Sequence, residues 1–300
     1  MKKFLVFLLI VTFVATMAVG CSGESTPADS DPVTYEDGVY FAQESEFGSS
    51  GWKYYAVITV ADGQITDTYW GGTNIQPVGD KQPYSEAGLY GMEWHSQAVA
   101  AQDWLIENQD PAGFDEFYID EDGHTEELTT DAGTAVSIHV KEYFELAKQA
   151  LDSEPVPEGT YTTPDNYVAT ATIPVDETDA DYDPENAWEY RGEYVVVNGT
   201  IMSSNFNAVF NGEFNENTAG KYAKDDEGNA DENAPLSKKE LGMDYGMDWK
   251  GNAEKCDAFI VENQGFPVEY KDEEGHTDSI TGVSIHVMEF ETLFKEALGL

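Results

Sequence analysis

Two short segments of this chain carry hydroxyl groups in a spacing that could hold a phosphate. Residues 278–287 read DSITGVSIHV, and residues 131–140 read DAGTAVSIHV. In both, an Asp lies six residues before a Ser, a Thr lies three before it, and Ser-Ile-His-Val follows. The apolar spacing after each Ser predicts a helix that begins there. Unpaired amides at a helix start favour phosphate, although a Ser in that position is also typical of an ordinary cap.

The two segments close two copies of one repeated unit. The run Tyr90–Trp94 recurs as Tyr245–Trp249 at an offset of 155, whereas Ser137 matches Ser284 at an offset of 147. A shrinking offset with retained anchor residues is typical of a duplicated domain whose loops have shortened. We therefore predict domains at 35–151 and 158–300, joined by a Pro-containing linker at 152–157.

Each unit begins with strand-like runs and ends with two helical patterns. The first unit has aromatic and β-branched runs on both sides of Asp62-Gly63, and the second has them on both sides of Asn198-Gly199, with an opening strand at Gly159–Tyr161. Helical spacing follows each Gly-Met-acid-Trp turn and ends at Glu-Asn-Gln. The predicted fold class is α+β, with an antiparallel sheet and two helices in each domain.

The N-terminus predicts the cellular compartment. Lys2 and Lys3 precede an apolar run that suits a signal peptide at 1–20 and is short for a stable membrane span. The run ends at Ala-Val-Gly-Cys21, which resembles a bacterial lipobox, so we expect lipidation (a palmitate-type anchor) at Cys21. A transmembrane anchor is the alternative. A polar tether at 21–34 would follow, and the rest of the chain would lie on the extracytoplasmic face of the cell membrane.

Charge excludes one class of partner. The chain has 58 acidic and 15 basic residues, a formal net charge of −43 at pH 7. Such a surface repels nucleic acid, so nucleic acid is not a predicted partner. Once Cys21 carries lipid, Cys256 has no partner for an internal disulfide.

The hydroxyl segments resemble the flavinylation motif of FMN-binding domains, as in the C subunit of sodium-pumping NADH:quinone oxidoreductase and the G subunit of Rnf complexes. That motif reads Asp, two variable residues, Ser or Thr, Gly, Ala, then Thr or Ser. The resemblance implies that Ser284 is esterified to the FMN phosphate, that Thr281 and Gly282 shape the turn, and that Asp278 is the acid of the motif. Val283 departs from the family Ala.

The first copy departs further from the family pattern. By the same resemblance Ser137 is the acceptor, with Thr134 and Asp131 in the roles of Thr281 and Asp278, but Ala135 stands where the motif has Gly. A turn that needs a positive φ at that position would disfavour Ala. We therefore expect one or two covalent FMN groups, with Ser284 the better site.

A lipobox followed by two such domains resembles the PplA-type flavolipoproteins of extracellular electron transfer. This resemblance implies a lipid-anchored flavoprotein of electron transport that is loaded by a Mg²⁺-dependent, FAD-using flavin transferase. Its electrons would come from a membrane dehydrogenase and quinone route and pass to an extracellular acceptor such as ferric iron. It would be a redox carrier more than a substrate-specific enzyme.

Other residues compete for roles. His139 and His286 follow the two Ser residues, and His124 and His276 precede the motifs, but no His-x-x-His or Cys-His cluster accompanies them. Structural or flavin-contacting roles are therefore predicted for them in preference to metal binding, and no metal site is predicted. Four aromatic residues are predicted to pack in the core or in turns, with stacking on a flavin ring as the alternative: Tyr90, Trp94, Tyr245 and Trp249.

Two other functions were compared with the sequence. A surface-binding lipoprotein of the same fold without flavin is the alternative function, in which the Ser residues are ordinary caps. A Ser hydrolase is disfavoured because the chain lacks a Gly-x-Ser-x-Gly elbow.

Overall fold

The computed structural model of the protein describes residues 34–163 and 166–300. The predicted signal peptide at 1–20, the lipidated Cys21 and the tether up to residue 33 lie outside these residues. Among the described residues, no helix is both long and apolar enough to cross a membrane.

The first repeat begins with a three-stranded antiparallel sheet in the order β1-β2-β3. Its strands are Gly38–Gln43, Trp52–Ala61 and Gln64–Asn74. The turn between β2 and β3 has φ of 54° at Asp62 and 75° at Gly63, the pair of positive values that a two-residue hairpin turn requires. The hairpin predicted from the Asp-Gly pair is therefore confirmed.

The second repeat builds the same sheet from β4, β5 and β6. Its strands are Val168–Ile173, Trp188–Val197 and Thr200–Phe210. The Asn198-Gly199 turn has φ of 49° and 77°. The register shifts between Val195 and Val196, as it does between Thr59 and Val60 in the first sheet. The strand predicted at Gly159–Tyr161 is wrong, since this segment lies outside the sheet and its backbone amides bond to the β5–β6 turn.

Each repeat has two long helices and one short helix. The first repeat contains α1 (Lys81–Glu86), α2 (Trp94–Asn108) and α3 (Lys141–Leu151), and the second contains α4 (Lys238–Leu241), α5 (Trp249–Asn263) and α6 (Met288–Leu298). The long helices were predicted, and the short ones were not. The chain is a mixed α and β protein with small antiparallel sheets and several helices.

The Glu-Asn-Gln endings of α2 and α5 have a structural reason. Gln109 and Gln264 each take a left-handed conformation that ends the helix. The side chain of Gln109 accepts a hydrogen bond from the Ile65 amide at 2.7 Å and donates one to the Ile65 carbonyl at 2.9 Å. Gln264 pairs with Ile201 in the same way, so each glutamine ties a helix end to its sheet.

The acidic segment 222–235 of the second repeat forms a small extra sheet. Strand β7 (Tyr222–Lys224) pairs with β8 (Ala230–Pro235) in an antiparallel hairpin. The Asp225 carboxylate accepts hydrogen bonds from the amides of Glu227 and Asn229 at 2.9 and 2.8 Å and so orders the turn. Local side-chain to backbone bonds of this kind stabilise a turn even in a segment without hydrophobic spacing.

The two repeats share an apolar core. One face of each sheet packs against its own long helices, and the other faces meet around Tyr55, Val57, Val195 and Val197. Val156, in the predicted linker, is buried in the same cluster. The order of layers is therefore helices, sheet, sheet, helices.

Polar groups of the second repeat hold the chain that follows β3. The buried Glu193 carboxyl accepts hydrogen bonds from the amides of Asn74 and Gly79 at 3.2 and 3.0 Å. The Asn205 amide donates to the Asn74 carbonyl at 2.7 Å. These bonds satisfy backbone groups that leave the sheet edge and would otherwise be buried without partners.

Candidate functional site

Neither motif Ser begins a helix. Helix α3 begins at Lys141 and α6 at Met288, four residues after Ser137 and Ser284. The predicted helix starts are therefore wrong, and the helix N-terminus that was expected to hold a phosphate at the Ser is not there. The residues from Val283 to Val287 instead alternate between covered and exposed, as in an extended segment.

Each motif Ser is held by a side-chain amide from the first turn of the preceding long helix. The backbone amide of Ser284 donates to Asn252 Oδ1 at 2.7 Å, and its hydroxyl lies 3.4 Å from the same oxygen. In the first repeat, Gln97 Oε1 accepts from the Ser137 amide at 2.6 Å and lies 3.3 Å from its hydroxyl. Both amide side chains are buried and both Ser residues are exposed.

The turns before the two Ser residues differ. In the second repeat, Gly282 has φ of 76°, and the Val283 amide donates to the Ile280 carbonyl. Thr281 and Gly282 therefore form a two-residue connection that needs glycine at its second position. In the first repeat, Ala135 has no positive φ and forms a β-bridge with Thr129.

Hydrogen bonds show which residues of the two motifs are equivalent. The Thr277 hydroxyl accepts from the Ser279 amide, next to Asp278, as the Thr125 hydroxyl accepts from the Glu127 amide. By this match Glu126 corresponds to Asp278. Asp131 lies instead on a five-residue longer hairpin, between Leu128 and Val136. The spacing that made Asp131 the counterpart of Asp278, and Thr134 that of Thr281, does not reflect a shared position in the fold.

Positive charge lies beside the second motif. The exposed Lys255 of α5 donates from Nζ to the Gly282 carbonyl at 2.7 Å. Lys271 Nζ lies 3.1 Å from the carboxylate of Asp278. At the position of Lys255 the first repeat has Ala100.

The first motif borders an acidic cleft of about 640 Å³. This cleft lies between the outer face of α2 and the long hairpin and is lined by five carboxylates: Glu93, Asp103, Glu107, Glu127 and Asp131. Burial, together with the nearby charge of Asp131, raises the pKa of Asp103. A phosphate near this cleft would be repelled, whereas one near Lys255 would be attracted.

A lysine enclosed by aromatic rings is present in each repeat. Lys81, the first residue of α1, is fully buried, and its Nζ lies 4.3–4.9 Å from the ring centroids of Trp52, Tyr54, Tyr90 and Trp94. It donates to the Tyr54 hydroxyl at 2.7 Å. Cation–π attraction to four rings replaces part of the hydration that burial removes.

The second repeat repeats this aromatic cage. Lys238, the first residue of α4, lies 4.7–5.3 Å from the ring centroids of Trp188, Tyr190, Tyr245 and Trp249. Burial lowers the pKa of both caged lysines to about 7. Trp94 and Trp249 are buried in the two core clusters, and Tyr90 and Tyr245 are half-buried against them, as predicted. Flavin stacking on these rings stays an untested alternative.

Sequence reasoning missed the cages, although a signal was present. The middle strand of each sheet carries two aromatic residues two positions apart: Trp52 and Tyr54 in β2, and Trp188 and Tyr190 in β5. Residues two apart point to the same face of a strand. The lysine inside each cage comes from a short helix without an apolar repeat. The sequence pattern therefore did not indicate that Lys81 and Lys238 occupy equivalent positions in the two repeats.

The four paired histidines form two clusters at the surface, in which His139 and His286 are exposed and His124 and His276 are half-buried. His124 and His139 have ring centroids 4.3 Å apart, and His276 and His286 have centroids 6.0 Å apart. Within the described residues, no three His, Cys, Asp or Glu side chains are placed to hold a metal ion together. Cys256 is buried, and burial raises its pKa to about 12.

Comparison with known proteins gives two structural likenesses. No family model matches the chain, and no curated protein matches it. The chain is similar to a Clostridium thermocellum protein solved by NMR, with 36% identity and a TM-score of 0.31, over 40% of this chain and 95% of that chain. It is also similar to a Clostridium perfringens protein solved by crystallography, with 22% identity and a TM-score of 0.28, over 39% of this chain and 87% of that chain.

Proposed function

We propose that the protein is an extracytoplasmic, lipid-anchored electron carrier that holds FMN covalently through a phosphoester on Ser284. The observation that carries the proposal is the placement of the Ser284 hydroxyl. It is exposed, its backbone is fixed by buried Asn252, and it follows a glycine turn whose carbonyl accepts a hydrogen bond from Lys255 of α5. A transferase can reach such a hydroxyl, and a rigid backbone keeps the attached group in one place.

The residues around Ser284 fit the phosphate of FMN. The phosphoester keeps a negative charge, and the ammonium of Lys255 is the nearby group that can neutralise it. Gly282 leaves the approach open, since a Cβ there would lie 3.2 Å from Lys255 Nζ. When bound, FMN supplies the electron-transfer chemistry, and the chain positions it and balances its charge.

Ser137 is the second and weaker attachment site of the proposal. Its backbone is fixed by Gln97 in the same manner, and its hydroxyl is also exposed. Ala100 replaces the lysine, and the neighbouring cleft is acidic. We therefore expect full occupancy at Ser284 and partial occupancy at Ser137 under limiting transferase.

Two tandem FMN-binding domains, at 35–151 and 158–300, complete the proposal. The repeated order of three strands, a short helix and two long helices supports it. A lipid on Cys21 would hold the carrier at the membrane, where a dehydrogenase and quinone route donates electrons. An extracellular acceptor such as ferric iron would take them, and the Mg²⁺-dependent transferase would load the flavin from FAD.

The test counts flavins on the protein produced with an active flavin transferase and export machinery. Intact mass and flavin fluorescence after denaturation are measured for the wild type, Ser284→Ala, Ser137→Ala and the double variant. Ser284→Ala should lose the main flavin, and the double variant should carry none. Ser50→Ala, an exposed Ser outside both motifs, is the matched control and should load fully.

Two results would overturn the proposal. Covalent flavin on the double variant would show that the attachment residues are others. Absence of flavin from the wild type, with a transferase that loads another substrate in the same cells, would favour the surface-binding lipoprotein without flavin.

A further inference from the structure

The two histidine clusters have the same construction in both repeats. Each joins one imidazole from the loop before the motif, His124 or His276, with one from the segment after the motif Ser, His139 or His286. The rings meet edge to face, with interplanar angles of 87° and 85°. These four residues are four of the five histidines of the chain.

The backbone holds each pair together. The Val140 amide donates to the Gly123 carbonyl at 3.0 Å, and the Val287 amide donates to the Gly275 carbonyl at 2.9 Å. Each bond joins the residue after one histidine to the residue before the other. The backbone of the fold therefore places the two histidines of each pair side by side.

Carboxylates lie within hydrogen-bond distance of Nδ1 in three of the four rings, and at 3.8 Å in the fourth, His139. Asp120 Oδ2 lies 2.6 Å from Nδ1 of His124, and Asp272 Oδ2 lies 2.9 Å from Nδ1 of His276. In the other member of each pair the carboxylate is a glutamate three residues later. Glu142 Oε1 lies 3.8 Å from Nδ1 of His139, and Glu289 Oε1 lies 3.3 Å from Nδ1 of His286.

A carboxylate at Nδ1 has a chemical consequence. It keeps the proton on Nδ1 and leaves the lone pair on Nε2, the arrangement in which a histidine binds a metal ion. Over residues 34–163 and 166–300, the hydrogen bonds of these rings all involve Nδ1 and none involves Nε2. The side chains are 25–51% exposed, so an ion in solution can reach them.

We propose that each repeat binds one divalent first-row transition-metal ion, such as Cu²⁺, Ni²⁺ or Zn²⁺, between the Nε2 atoms of its histidine pair. Imidazole is a preferred ligand of these metals. Each pair supplies two ligands, and water occupies the remaining positions, since the described residues place no third His, Cys, Asp or Glu ligand with either pair. The formal charge of −43 raises the local concentration of cations.

The site differs from the proposed flavin attachment but lies close to it. His286 is two residues after Ser284, and both side chains are exposed on the same side of an extended segment. The metal proposal does not depend on flavin, because it uses the imidazoles and their carboxylates alone.

The test titrates flavin-free protein with CuSO₄ at pH 7.5. Electron paramagnetic resonance should show nitrogen ligands, and calorimetry should give two bound ions per chain. His139→Ala and His286→Ala should each remove one ion, and the double variant should remove both. His95→Ala is the matched control, since His95 is the unpaired fifth histidine with Nδ1 3.1 Å from Ser85 Oγ, and it should still bind two.

A second measurement keeps the test valid if a variant misfolds. In the proton NMR spectrum of the wild type, substoichiometric Cu²⁺ should broaden the imidazole signals of the four paired histidines before those of His95. Asp272→Asn should weaken binding in the second repeat about 10- to 100-fold while leaving the first unchanged.

Equal broadening of all five histidines, or two nitrogen-bound ions on the folded His139→Ala/His286→Ala double variant, would overturn the proposal. Flavin loading of the same variants is measured separately. Flavin retained on Ser284→Ala/Ser137→Ala with metal binding intact would contradict the flavin proposal alone, and two ions retained on His139→Ala/His286→Ala with flavin loading intact would contradict the metal proposal alone.

Discussion

Asn252 Oδ1 lies 2.7 Å from the backbone nitrogen of Ser284. Asn252 in turn donates from Nδ2 to the carbonyl of Asp248, at the N-cap of α5, at 2.5 Å. The motif hydroxyl is thus positioned by the start of the preceding helix and not by the helix that follows it. A side-chain amide can do this because it accepts and donates at once.

Asn252→Ala should loosen the second motif. The Ser284 amide would lose its acceptor, and we expect a loss of about 1–3 kcal/mol of unfolding free energy together with lower flavin loading at Ser284. Gln97→Ala is the matched change in the first repeat and should affect Ser137 alone. Chemical denaturation and intact mass measure the two effects, and unchanged loading of the folded Asn252→Ala protein would contradict the positioning role.

Gly282→Ala should strain the turn before Ser284. The left-handed conformation costs a residue with a Cβ about 1–2 kcal/mol, and φ is 76° here. Gly133→Ala has nearly the same φ, 75°, with nothing within 4 Å of the added Cβ. Both variants should lose similar thermal stability, but only Gly282→Ala should lose flavin at Ser284. Equal loading of the two variants would show that the turn does not govern attachment.

Lys81→Met should change how stability depends on pH. Burial lowers the pKa of Lys81 to about 7, whereas an unfolded lysine titrates near 10.4. Between these values the unfolded chain binds more protons, so the caged lysine favours folding increasingly as pH rises from about 7 to about 10.4.

The measurement for Lys81 compares unfolding free energies at pH 6 and pH 9. The stability of wild type minus that of Lys81→Met should rise by about 2–3 kcal/mol between these pH values. Lys224→Met removes the same charge from an exposed position, and its difference should stay nearly constant. A constant difference for Lys81→Met would mean that the caged lysine keeps an ordinary pKa.

Lys239→Met should leave a buried charge without its partner. Lys239 Nζ lies 2.8 Å from Asp257 Oδ2, with side chains only 5% and 10% exposed, and breaking such a pair costs about 3–5 kcal/mol. The double variant Lys239→Met/Asp257→Asn should lose less, since no charge remains buried. Lys295→Met breaks the exposed pair with Glu291 and should cost at most about 1 kcal/mol. Calorimetry measures the stability that each variant loses. Equal losses for Lys239→Met and Lys295→Met would contradict burial as the cause.

The sequence alone determined the repeat, both hairpins and the four long helices. Periodicity and turn residues are local signals, so Asp62-Gly63 and the spacing after Trp94 predicted correct structure. It did not determine where α6 begins, because the run from Val283 to Val287 fits both an extended segment and a helical face. Only packing decided between them, by burying Ile285 and Val287 and exposing Ser284 and His286.

Tertiary structure also decided which residues meet. Glu126 rather than Asp131 corresponds to Asp278, because Glu126 follows Thr125 as Asp278 follows Thr277. Asp131 lies further along, on a longer hairpin. The cage around Lys81 and the pairing of His276 with His286 join residues from separate elements. Such contacts depend on how strands and helices pack, and the aromatic spacing in the sequence does not say which side chain fills the cage.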